Sequence, residues 1–490
     1  MWSHTFNKRV ALGILTFACA ASSLAYVPDD RWSTTTSGST GNYGDPATLA
    51  WSLVPDGTRI PGEENSNLIN YLDDLFNVSA NSTDLTNRPW FSLVEESFTR
   101  WSDLSGLTFV YEPNDTGSSL ETSSGVLGTR GDIRIGGAYL DGTNGTLAYA
   151  YLPDIGDLVV DTGETTFYSN SSNNYLQLRN VLMHEIGHAL GLLHVESSSE
   201  SLLMEPTINL SIDGPQLDEI RGIQGLYGDA YEKSNNGLGN GSYLRATDLG
   251  QLVSGGDLAI GTDATGGQTV LATESDFVSI SESTDYDYYS FTIDAASLVD
   301  LTLTPLGGVF SQAVEGGAES AFDANSRNDL QLALYDTDGT TLLKLANETG
   351  LGGVEQLSNL ELSSAGTYYA RVSGSTSSMQ LYELQLSAAA LVLAETGDFN
   401  GDGLVDLADY TVWRNSLGDA GANLAADGNY DNLVNAADYA IWKNQFGSAA
   451  STGVVVGTTN VPESSSLVLL GIAALAITHT RLRRTTNRLD

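Results

Sequence analysis

Tyr175 to Val195 reads YLQLRNVLMHEIGHALGLLHV. Leu176, Val181, Leu182, Ile186, Leu190 and Leu193 recur at helical spacing with no proline among them, which predicts an amphipathic helix. His184 and His188 stand one turn apart on one face, so both rings can aim a nitrogen at a single ion. Glu185 sits beside them. Gly191 suits a left-handed helix end that turns the chain back and lets His194 supply a third ligand from outside the helix. Three neutral imidazoles leave the fourth zinc position to water, which is the catalytic rather than the structural arrangement. Polar residues merely satisfied on a core helix are the alternative.

The rest of the chain supports confining metal chemistry of this kind to that segment. Of five histidines, the other two are His4 and His479, near the chain ends. The single cysteine, Cys19, excludes a disulfide framework and an all-cysteine zinc site. A length of 490 residues suggests about three domains. Sixty-one acidic against 21 basic residues give a net charge of -40, which repels a phosphate backbone and excludes nucleic acid as a partner. With 52 glycines and 17% charged residues, the composition fits an exported, loop-rich protein able to hold hard cations.

Both ends read as targeting segments. In residues 1–25, Lys8 and Arg9 precede an apolar run over 10–21 and the small residues Ser23 and Ala25, the pattern of a secretory signal peptide. Residues 450–490 read as a linker and a C-terminal sorting segment. There Val461-Pro462-Glu463, an apolar stretch from Leu467 to Ile477, and Arg481, Arg483, Arg484 and Arg488 resemble the PEP-CTERM tail of bacteria that use an exosortase. That resemblance implies exosortase-type sorting machinery as a partner, an extracellular or cell-surface destination, and a transiently membrane-associated C-terminus.

The H-E-x-x-H-x-x-G-x-x-H run resembles the metzincin peptidases, and Met204, ten residues after His194, resembles their methionine turn. Over residues 26–229 the likeness is to the matrixins. Val94–Phe109 resembles their first helix and following strand, Asp132–Ile135 a central strand, Asp141–Ala150 the calcium loop and edge strand, and Leu217–Gly228 the closing helix. The resemblance implies an α+β catalytic domain, with a twisted mixed sheet plus helices. It also implies one catalytic zinc on His184, His188 and His194, with Glu185 as the base for the attacking water. Calcium would be held by Asp141, Gly142, Asn144, Thr146, Asp161 and Glu164, the hard oxygen donors this cation prefers, although D-G-x-N-G is a good turn sequence in its own right. Asp132 and Asp157 are candidates for a second calcium. An extended protein or peptide substrate would lie along Leu147 and Ala148, with Asn180, Glu205 and Pro206 shaping the pocket. Tyr149 and Val159 replace histidines that hold a second zinc in many matrixins, and no cysteine remains for a thiol latch.

Residues 240–390 alternate as in Val299-Leu301-Leu303 and Tyr368-Ala370-Val372, predicting an antiparallel β-sandwich that resembles prepeptidase C-terminal domains. Asp285, Asp287, Asp336 and Asp338 read as solvated turn residues, with calcium ligation as the alternative. Residues 396–449 hold an internal repeat. Asp398, Asn400, Asp402, Leu404, Asp406 and Asp409 recur 29 positions on as Asp427, Asn429, Asp431, Leu433, Asn435 and Asp438, with EF-hand-type calcium spacing. A helix follows each loop, so the module resembles type I dockerins. It is expected to be small, all-α and calcium-loaded, with a cohesin-like partner or a spacer role. The whole reads as a multidomain, secreted zinc endopeptidase. The alternative is a non-catalytic surface or assembly protein acting through its dockerin-like and sandwich modules.

Overall fold

The computed structural model describes residues 28, 30–79, 83–121, 125–198, 201–266, 269–393, 396–449 and 454–456. The signal segment 1–25 and the sorting tail from Val461 onward lie outside the described residues. Among the described residues no helix is long and apolar enough to cross a membrane.

The N-terminal domain is built on a five-stranded sheet of β1 (Ala47–Leu53), β2 (Leu107–Tyr111), β3 (Ile133–Ala138), β4 (Ala148–Ala150) and β5 (Leu158–Asp161), in the order β2-β1-β3-β5-β4. The first four in that order pair in parallel, and β4 runs antiparallel to β5 at one edge. Parallel pairing demands long crossovers. Helices α1 (Leu68–Leu75) and α2 (Phe91–Asp103) lie in those connections. Every residue of β3 is buried, as expected for a strand covered on both faces.

Helix α3 (Leu176–Ala189) carries the first two histidines, and it departs from the amphipathic expectation. All its residues except Gln177, Arg179 and His184 are buried. The reason lies in its neighbours: Trp101 of α2 donates from its indole to the Met183 carbonyl at 3.0 Å, and Met183, Ile186, Trp101 and Met204 share one core cluster. The C-terminal carbonyls of α3 are capped from afar. Trp32 Nε1 donates to the Ala189 carbonyl at 2.8 Å, and the Tyr227 hydroxyl, at the end of α4 (Leu217–Tyr227), donates to Leu190 at 3.0 Å. Gly191 has φ +106°, and a Cβ there would lie 2.0 Å from the Asp30 carbonyl oxygen, so only glycine makes this turn.

The sandwich follows, antiparallel as expected except at one edge, where Thr247–Gln251 pairs in parallel with Tyr286–Ile293. One face orders Asp257–Ile260, Gln380–Leu393, Ser297–Leu306 and Glu355–Leu362, and the other Leu342–Ala346, Leu330–Tyr335, Gly366–Gly374, Tyr286–Ile293 and Thr247–Gln251. A hairpin of Val309–Val314 and Ser320–Asp323 leaves the sandwich and joins the peptidase-like domain instead. Alternation predicts strands there but not their partner.

The solvated-turn expectation holds for exposed Asp338, whose carboxylate accepts from Thr340 and Thr341, and fails for Asp285 and Asp287. Asp287 is fully buried, and Asp285 and Asp287 gather with Glu232 at the junction of the two domains, their oxygens within 4.8 Å of one another. Asp229, also fully buried, accepts from the Ser279 amide across the same junction.

The C-terminal module is a pseudo-twofold pair. Helix α5 (Leu407–Ser416) follows the first loop and α6 (Ala436–Gln445) the second. Trp413 Nε1 donates to the Asn435 carbonyl and Trp442 Nε1 to the Asp406 carbonyl, both at 2.8 Å, so each helix pins the other loop. Asp409 and Asp438, both fully buried, close a capping box at the start of each helix.

Burial first, then mutual repulsion, pushes the Glu232 carboxyl up to about 9 and holds Asp287 well above the usual range; burial also raises Asp285 to about 6. A folded state that keeps protons the unfolded chain has released loses stability as pH rises from about 4 to about 9. In chelator, thermal unfolding at pH 6, 7.5 and 9 should show a falling melting temperature, with a shallower fall in Asp287→Asn. Parallel pH profiles for the two proteins would contradict this.

Candidate metal centre and substrate cleft

Each ring at the centre has one nitrogen committed. His184 Nδ1 lies 2.7 Å from the Leu203 carbonyl oxygen, and His188 Nδ1 lies 2.7 Å from that of Leu192. A carbonyl only accepts, so each Nδ1 carries the hydrogen. His194 Nδ1 lies 2.9 Å from Glu315 Oε2, again an acceptor. The Nε2 atoms are therefore the ones left to face a metal. Those of His184 and His194 are 3.2 Å apart, a separation at which two acceptors repel unless a cation sits between them. Burial, then the nearby His194, lowers His184 to about 3, and burial holds His188 well below its usual value, so both rings stay neutral. Ligand atoms of all three lie within 4.8 Å of one another. Neutral imidazoles converging this way fit zinc.

Glu185 is 7% exposed, its Oε2 has no protein partner, and burial pushes its carboxyl up to about 8. A cleft contains the three histidines and Glu185, with Leu147 and Ala148 on one wall and Glu205, Pro206, Ile208 and Asn209 on another. The expected substrate residues are thus brought together. Leu147 immediately precedes β4, whose outer edge carries no further strand among the described residues, and the Tyr168 hydroxyl donates to its carbonyl at 2.6 Å. Asn180 acts from behind the wall. Fully buried, it donates to the carbonyls of Asn209 and Ile212 and accepts from the Gly214 amide, tying the 209–214 loop to α3.

Met204 lies against α3 between the two helical histidines: a Cβ on Gly187 would meet its sulfur at 2.6 Å. Its amide donates to Glu219 Oε1 at 3.0 Å, and the other Glu219 oxygen accepts from the Gln216 amide at 2.8 Å. Glu219 was not singled out in the sequence, although a Gln-x-x-Glu start to a helix is a capping-box signal.

The carboxylates expected around the 141–146 loop do not gather their oxygens as the histidines do; each accepts from backbone amides of the loop. Asp161 accepts from the Leu140 and Gly142 amides, Glu164 from Gly145, and Asp141 from Thr146. Asn144 takes a left-handed conformation at φ +66°. Asp132 fares differently from the second-calcium expectation: Thr36 donates to both its oxygens and the Ala50 amide to one, so it staples the N-terminal segment to β1. Asp157 accepts from the Glu121 amide and is pushed by burial up to about 7. In the repeat module, Asp398 accepts from Gly401, Asp402 and Gly403, and Asp427 from Asp431 and Asn432, the same wrap 29 positions on. Asn432, at φ +65°, stands where Gly403 makes the first loop's sharp turn.

Three family profiles match: Matrixin over residues 70–228, Bacterial pre-peptidase C-terminal domain over 285–374, and Dockerin type I domain over 396–447. Residues 70–228 are a matrixin domain. It is followed by a pre-peptidase C-terminal domain and a type I dockerin domain. Among the relatives of the matrixin domain, a hatching enzyme of Paracentrotus lividus is 35% identical over 173 residues, covering 35% of this chain and 27% of that protein. Metalloendoproteinase 2-MMP of Arabidopsis thaliana is 37% identical over 145 residues, 28% of this chain and 36% of its own. An interstitial collagenase of Oryctolagus cuniculus is 33% identical over 156 residues, 31% of each. The chain spans between about a quarter and a half of the length of the curated relatives it matches.

Because Glu219 satisfies two buried amides beneath the matrixin cleft, Glu219→Ala should cost on the order of 2–4 kcal/mol in chemical denaturation, more than one net hydrogen bond. A loss below about 1 kcal/mol would show that this carboxylate does not hold the methionine turn.

Proposed function

We propose that this chain is a zinc-dependent endopeptidase acting on extended protein substrates. The observation that carries the reading is the convergence of three imidazole rings in a cleft walled by a strand edge with no further partner among the described residues, with Glu185 beside them. Substrate adds antiparallel to β4, main-chain hydrogen bonds giving grip and the 205–209 wall selecting side chains. Zinc held by the three histidines would supply Lewis-acid polarisation of the scissile carbonyl and acidify a water. Glu185 takes the proton from the attacking water and passes it to the leaving amine, and its burial strengthens that role by keeping its carboxyl out of bulk water. Asn180 keeps the pocket wall at a set distance from the histidines.

Calcium occupies the 141–146 loop with Asp161 and Glu164, and both dockerin loops. The unpartnered buried oxygen of Asp287, beside Asp285 and Glu232, supports a further cation at the domain junction. The dockerin module recognises a cohesin-like partner; Leu404, Leu407 and Leu433 stay exposed around its loops, which supports a docking face. The N-terminal segment directs export, and the C-terminal segment hands the protein to exosortase-type machinery at the cell surface.

Cleavage of an unfolded protein such as reduced, alkylated casein should be abolished by a zinc chelator and restored by zinc. Glu185→Ala should lower kcat/KM by at least about 100-fold. A variant as fast as wild type would sink the peptidase reading.

A further inference from the structure

Two of the three histidines find the acceptor for their outer nitrogen in their own domain, on the main chain of Leu203 and Leu192. The third does not. His194 hydrogen-bonds Glu315 at 2.9 Å, and Glu315 lies in the turn of the hairpin that the β-sandwich sends across the junction.

That hairpin is built into the matrixin domain. Ala313 and Val314 pair antiparallel with Glu196 and Val195, the two residues directly after His194. The Ser197 hydroxyl donates to the Ser311 carbonyl at 2.6 Å, Ser198 donates through its amide and hydroxyl to Glu319, and the Gly316 amide donates to Glu196. At its root Gln312 donates to buried Asp218 at 2.8 Å. The Arg221 guanidinium lies over the rings of Phe310 and Phe322, at 5.9 and 5.1 Å. Both rings are buried in one cluster with Leu104, Leu217 and Ile220.

We propose that Glu315 is a positioning residue of the zinc centre, so that the sandwich domain completes the peptidase site by fixing the ring and tautomer of His194. The proposal rests on the zinc-peptidase reading. Its side chain is 52% exposed, and as a plain surface ion pair it would be worth little. Its effect comes from where it sits: an acceptor on the outer nitrogen orients a ligand imidazole and raises its basicity. Helix α3 holds His184 and His188 in a rigid frame, whereas His194 hangs on the segment after the helix, whose strand partner is the hairpin itself.

The test is zinc affinity of the full chain, measured by competition with a chromophoric chelator, for wild type, Glu315→Ala, Glu315→Gln and Glu319→Ala. Glu315→Ala should weaken zinc binding by about 10- to 100-fold. Glu315→Gln, whose amide oxygen still accepts from His194, should recover most of that loss. Glu319→Ala, which removes the hairpin's bonds to Ser198 but leaves Glu315 on the ring, should lose clearly less than Glu315→Ala. With saturating zinc, kcat should fall in Glu315→Ala while KM holds. An affinity for Glu315→Ala within about twofold of wild type overturns the proposal and leaves the peptidase reading standing. So does a loss shared equally by Glu315→Gln and Glu319→Ala, which would mark a role in hairpin stability alone. Wild type that binds no zinc overturns both.

Discussion

The structure depends on three imidazoles that each have a hydrogen to give away on one side. Once Nδ1 of His184, His188 and His194 donates to Leu203, Leu192 and Glu315, three lone pairs are forced to face one point. That arrangement is unfavourable for a bare protein and favourable for a cation, so the binding energy of the ion is available to offset the burial of the rings. Much of the matrixin domain serves this convergence. Met204 packs under α3, Glu219 holds Met204 through its amide, and Trp32 and Tyr227 cap the helix end from which His194 must turn.

The same logic joins the domains. A sandwich tethered only by a linker would touch the peptidase domain weakly, but here a hairpin adds strand pairing, buried aromatic rings and a glutamate on a ligand histidine. Elsewhere at the junction, fully buried Asp229 and Asp287 and half-buried Glu232 and Asp285 all have their carboxyls raised, by burial first and by neighbouring carboxylates second. One contact serves the metal centre, and the other makes the junction sensitive to pH and to cations. The dockerin module instead closes on itself, its two tryptophans each bonded to the other repeat.

How much of this was legible depends on the range of the interaction. The histidine spacing, the glycine turn at Gly191 and the 29-residue repeat are local, so the helix end and the matching backbone bonds to Asp398 and Asp427 could be read from nearby residues. Asn180 was legible as a pocket residue but not as a tether, because its partners at 209–214 are 29 to 34 positions away. Asp285 and Asp287 looked like turn residues because Asp in a polar, serine-rich stretch usually is one. What sets them apart is Glu232, which comes from the end of another domain and lies within 4.8 Å of both. Asp132 matched a calcium ligand by type, yet Thr36, 96 positions earlier, claims its oxygens. Glu315 was out of reach altogether, since nothing near it in sequence hints at a histidine 121 residues away.

On the proposed reading, three histidines and no carboxylate hold one zinc with the fourth position open. X-ray absorption at the zinc edge on the loaded full-length protein reads this directly. Three imidazole nitrogens at about 2.0–2.1 Å are expected, with one further light scatterer and multiple scattering from imidazole rings. A shell of four or more oxygen donors with fewer than three imidazoles, or loss of imidazole scattering with zinc still bound, would contradict it.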